Sequence, residues 1–118
     1  MTKLLPLLLL LITLMTSLPA HAQSQMEMNI AAATDAEKSD KALTAIYKKL
    51  YSSLKDDPKA QALFKEAEDA WLIYRDKQAE YEAAQDIGGS IHSMTVSMAA
   101  KDLTEERIKY LKNLLKNE

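Results

Sequence analysis

Few side chains in this sequence could carry out chemistry. Beyond residue 22 there is one histidine, His92, and the whole chain has no cysteine. A Ser-His-Asp arrangement would have to be built on that single imidazole, and no serine has an obvious base partner. The missing cysteines exclude disulfides, thiolate zinc sites, iron–sulfur clusters and cysteine nucleophiles. Carboxylates are abundant, among them Glu66, Glu68, Asp69, Glu80 and Glu82, but lysines accompany them at helical spacing. A solvated helix face accounts for that pattern better than a paired acid and base. The sequence thus predicts no catalytic residue, no metal site, no cofactor and no enzyme.

The most distinctive stretch is Ala67-Glu68-Asp69-Ala70-Trp71-Leu72-Ile73-Tyr74-Arg75-Asp76. Trp71 and Tyr74 are three apart, and Gln78 and Tyr81 continue the same helical side. Trp71 reads as a core anchor with the Tyr74 hydroxyl near the edge; the alternative is a stacking platform for a sugar or aromatic ligand. Arg75 lies just off the stripe, where its guanidinium could clamp a carboxylate from an earlier helix, with Glu27 the candidate. The only two glycines of the chain stand together, in Asp86-Ile87-Gly88-Gly89-Ser90.

The elements that must position these residues follow from the apolar pattern. Residues 4–18 carry no charge, Lys3 precedes them, and Pro19-Ala20-His21-Ala22 supplies an A-x-A end. This predicts a signal peptide over residues 1–22, because a charge-free run of about 15 residues is short for a membrane span. The domain then occupies residues 23–118. Loss of Lys3 leaves 14 basic against 17 acidic residues, a net charge of −3. Charge so weak and so mixed in sign excludes a nucleic-acid interface, and cleavage would leave no membrane segment.

Leu43, Ile46, Tyr47, Leu50, Tyr51 and Leu54 repeat at steps of three and four, which predicts one long helix from about Gln25 to Lys55. Thr34 with Glu37 matches a capping box and leaves open a break there. Asp57 as N-cap and Pro58 at the first helical position start a second helix. Its predicted buried stripe is Leu63, Phe64, Ala67, Ala70, Trp71, Tyr74, Gln78 and Tyr81, ending near Ala84, where Gly88 and Gly89 turn the chain. A short helix carrying Met94 and Met98 on one side should follow, then a last helix capped by Thr104 with stripe Ile108, Leu111, Leu114 and Leu115. The expected fold class is all-α: a small helical bundle of two long antiparallel helices plus one or two shorter C-terminal helices.

Five pieces recur in a characteristic order: Gln25-x-Glu27-Met28-Asn29, Asp40-x-x-Leu43-x-x-x-Tyr47, Ala70-Trp71-x-x-Tyr74-Arg75-Asp76, Gly88-Gly89-Ser90, and Thr104-x-x-Arg107-x-x-x-Leu111. Together they resemble the LprI-like lysozyme-inhibitor domain over nearly all of residues 23–118. The resemblance implies a small helical domain exported to the bacterial envelope, periplasmic or secreted, with Glu27, Asn29, Trp71, Tyr74, Arg75, Asp76 and Arg107 as its structural motif. It also implies cysteines at three positions that are Ala31, Ala79 and Ala99 here, so packing must replace crosslinks typically worth about 2 to 4 kcal/mol.

If the resemblance extends to activity, the partner is lysozyme. Its cleft presents two catalytic carboxyl groups, which a slim projection bearing hydrogen-bond donors would suit. Gly88, Gly89, Ser90, His92 and Ser93 form the only such segment, an inhibitory loop; the same glycines also fit an ordinary interhelical connection. The alternative function is an envelope module that recognises another protein or peptidoglycan through a helix face, for which exposed Met94 and Met98 would be suited.

Overall fold

A computed structural model describes residues 20–86 and 88–117. The signal peptide expected over residues 1–22 falls, for residues 1–19, outside the described residues; Ala20, His21 and Ala22 open the first helix. Among the described residues the helices are, in order, α1 (Ala20–Ser53), α2 (Pro58–Glu82) and α3 (His92–Lys116), with a 3-10 turn at Ala84–Asp86. Among the described residues there is no strand, and no helix is long and apolar enough to cross a membrane.

The first helix runs unbroken for 34 residues. Thr34 does not cap a new helix, because its hydroxyl donates to the Ile30 carbonyl one turn back at 2.9 Å. Leu43, Ile46 and Leu50 of the stripe read from the sequence are buried and Tyr47, Tyr51 and Leu54 half-buried, while Ser39, four residues before Leu43, extends the buried face. At its end, turn bonds from Leu54 and Lys55 take up the Tyr51 and Ser52 carbonyls, and the Gln61 amide returns to Tyr51 at 2.9 Å. The next helix starts as expected. The Asp57 side chain accepts from the Ala60 amide at 3.1 Å, and Pro58 occupies the first helical position, where a missing N–H costs nothing.

Two features differ from the sequence pattern. The C-terminal region is one helix of 25 residues, as long as α2, with no break at Thr104. Thr104 is 1% exposed, and its hydroxyl donates to the Ala100 carbonyl at 2.7 Å, so it bonds back along a continuing helix. No glycine or proline stands between residues 91 and 117 to interrupt it. The inward face of α2 is also turned by one residue from the expected stripe. Leu63, Ala67, Ala70, Tyr74 and Tyr81 face outward, Tyr81 at 75% exposure. The positions turned inward are Phe64, Glu68, Trp71, Leu72, Arg75 and Ala79.

The chain runs up, down and up, so α1 and α3 lie parallel and α2 is antiparallel to both. Gln25 meets Met94 at one end, while Leu43, Ile46 and Leu50 form the core with Leu111 further along. Phe64, Trp71, Leu72, Ile108, Leu114 and Leu115 close around that core. The most extensive interface is between α1 and α3, not within the hairpin of α1 and α2.

Candidate functional site

Two places gather the singled-out residues. The first is midway along the bundle, where Trp71 sits between two arginines from different helices. The Arg75 guanidinium lies 5.7 Å from the Trp71 ring centroid and that of Arg107 lies 5.6 Å away, with Arg107 also 5.3 Å from Tyr110. Arg107 donates through Nε and Nη2 to one Glu68 oxygen, at 3.1 and 2.9 Å. Glu68 is 4% exposed, so its carboxylate is buried, while Arg107 is half-buried.

Arg75 bonds Asp40 on α1, Asp76 at 3.0 Å and the Thr104 hydroxyl on α3 at 3.3 Å. One guanidinium therefore connects all three helices. The expected clamp on Glu27 is corrected to Asp40: antiparallel packing sets residue 40 opposite residue 75, and Glu27 lies about 20 Å further along α1. The expectation of a solvated Glu68 is likewise corrected. Charge can face inward here because Arg107 meets it across the interface, and among the described residues no buried side-chain nitrogen or oxygen lacks a partner.

Beside this node a groove of about 320 Å³ runs between α1 and α2, lined by Asp40, Thr44, Tyr47, Glu68, Asp69 and Arg75 among others. Burial raises the Tyr47 phenol above its ordinary value, while Phe64 stacks on its ring at 5.1 Å. The hydrogen bond to Asp69 raises the Lys65 ammonium in turn. No histidine lines the groove. Among the described residues no group of three or more His, Cys, Asp or Glu is placed to hold a metal ion.

The second place is the end of the bundle where α2 hands over to α3. Gly88 takes a positive φ of 81°, a conformation in which a side chain is strained. The Asn29 amide donates to the Ser90 carbonyl at 3.0 Å, and Gln25 donates to Asn29 at 2.9 Å. His92 Nδ1 donates to the Ala83 carbonyl at 3.2 Å, and the Thr95 hydroxyl reaches Asp86 at 3.1 Å. The connection is thus tied to α1 and to the C-cap of α2, and its expected last residues, His92 and Ser93, already form the first turn of α3. Gly88, Gly89, Ser90 and Ser93 are exposed, and His92 is half-buried with one ring nitrogen facing the protein.

The motif residues divide between these places. Trp71, Arg75, Asp76 and Arg107 meet at the node, and Asn29 holds the loop. Glu27 and Tyr74 are exposed and outside both. Asp40, Glu68, Asp86 and Thr95 complete the contacts without having been singled out as partners. Residues 18–111 match the family described as lysozyme inhibitor LprI. The chain belongs to that family. The match spans both places and ends on Leu111, which is wholly buried in the core. LprI proteins form an inhibitor family. An uncharacterised protein of Rhizobium meliloti (strain 1021) is 32% identical over 107 residues, covering 81% of this chain and 77% of the relative. No solved structure matches.

Proposed function

We propose that this protein is an exported, non-catalytic lysozyme inhibitor of the bacterial envelope, and that the 88–93 loop is the part that enters the lysozyme cleft. The supporting observation is the loop itself: exposed at Gly88, Gly89, Ser90 and Ser93, yet held by Asn29, His92 and Thr95. A projection fixed before binding loses less conformational entropy on association than a free one. Its glycines keep it narrow, and Ser90 and Ser93 can donate toward the two carboxyl groups that a lysozyme cleft presents. His92 serves the loop from behind, by capping Ala83.

The test is lysis of a bacterial suspension by c-type, g-type and i-type lysozymes with the purified protein present. Wild type should slow lysis by one class. Ser90→Ala with Ser93→Ala should lose that inhibition roughly tenfold or more while keeping its helical circular dichroism. Full inhibition by the double variant would remove the loop from the mechanism, and no inhibition of any class would remove the lysozyme reading.

A further inference from the structure

We propose that the face of α3 beside the 88–93 loop is a docking groove for a cationic protein surface, which sets an apolar side chain against Met94 and Met98 and its own lysines or arginines against the rim. The identity of that protein as lysozyme rests on the function proposed above; the groove's chemistry does not.

Two depressions share Met94 and Met98. One, of about 270 Å³, lies toward α1 and has Met28, Ala31 and Ala32 on its other side. The second, of about 580 Å³, lies toward the end of α2 over Ala99 and Leu103. The alanines contribute only methyl groups, so the floor stays open, and Met98 stands 52% exposed between the two depressions. Scattered exposed apolar residues are ordinary, but these line continuous concavities, and the unbranched thioether side chain adapts its shape to what it meets.

The rim fixes the sign of the partner. Asp35, Glu82, Asp102 and Glu106 line the two depressions and are exposed, and none has an ion pair among the described residues. Lys101 is the sole cation lining either depression, and it lies 3.8 Å from Glu105. A second copy bringing the same face would set carboxylate against carboxylate, whereas a basic surface gains at each of the four rim carboxylates. Enzymes that act on the anionic bacterial wall benefit from such a surface. The groove starts at Met94, directly after the loop, so one partner can occupy both.

The experiment measures binding to the purified protein of two probes, hen c-type lysozyme and a synthetic amphipathic helix of leucine and lysine, at about 20 mM and about 300 mM salt. Wild type should bind both, more weakly at high salt. Asp102→Asn with Glu106→Gln should bind roughly tenfold more weakly at low salt and lose most of the salt dependence. Met98→Lys should abolish binding of the peptide, while Ser90→Ala with Ser93→Ala leaves peptide binding unchanged. Peptide binding without lysozyme binding would retain the groove and reject c-type lysozyme as its partner. Failure of wild type to bind the peptide, equal binding by the groove variants, or a sedimentation-detected dimer that Met98→Lys dissolves would each overturn the proposal. Circular dichroism checks that each variant is folded; all substituted positions are exposed, and the half-buried Met94 is left intact.

Discussion

Glu68 and Arg107 illustrate how much one inward charge depends on its partner. With Glu68 4% exposed, Arg107→Ala leaves a carboxylate without its cation, and urea unfolding should register a loss of about 3 kcal/mol. Replacing both by leucine should recover most of that loss, because a buried pair is worth little beyond apolar groups of similar volume. An equal loss in the single and double variants would show that the pair itself stabilises the fold. At this scale the sequence was informative about residue type and poor about partners. Trp71 and Arg75 could be singled out, since aromatic and guanidinium groups are costly to place idly, whereas Arg107 entered only through the family resemblance. Asp40 could not be paired with Arg75, nor Glu68 with Arg107, because those contacts cross between helices whose register no local pattern encodes.

At the scale of the element, the same buried charges explain the misread face of α2. A rule that puts apolar residues inward selects Leu63, Tyr74 and Tyr81; the helix instead turns Glu68 and Arg75 inward, and the stripe rotates by one position. The long α1 and the start of α2 were legible because their signals are local: a three-four repeat, and an Asp-Pro cap. Asp57→Ala should therefore cost about 1 kcal/mol in a thermal or urea melt. Thr104 misled because a threonine followed by two glutamates looks the same before a helix as within one, and only the Ala100 carbonyl and Arg75 decide between them. The turn at Gly88 needs positive φ but has open space around a Cβ, so Gly88→Ala should cost about 1 kcal/mol from backbone strain alone. Gly88→Asn should cost less, and equal melting of both variants with wild type would refute the strain.

For the whole molecule, the fold class was readable from composition and periodicity, but the order of contacts was not. A short Asp-Asp-Pro turn suggests that the first two helices form the main pair, yet the core is built where α1 meets α3 at Leu43, Leu50 and Leu111. Leu111→Ala, at a wholly buried site, should destabilise by about 3 kcal/mol in denaturant unfolding. That cost falls on a chain without a disulfide to limit its unfolded state, so this fold relies on packing across all three helices.

The parallel pairing of α1 with α3 also sets a sequence of events. Gln25 and Met94 meet across 69 residues, and Asn29 and Ser90 across 61. A chain emerging from its amino end must hold the apolar stripe of α1 uncovered until α3 has been made, since α3 is its main partner and follows α2. Such distant closure slows folding relative to a bundle of neighbouring hairpins and prolongs the interval in which a holding chaperone or a protease can engage the nascent chain.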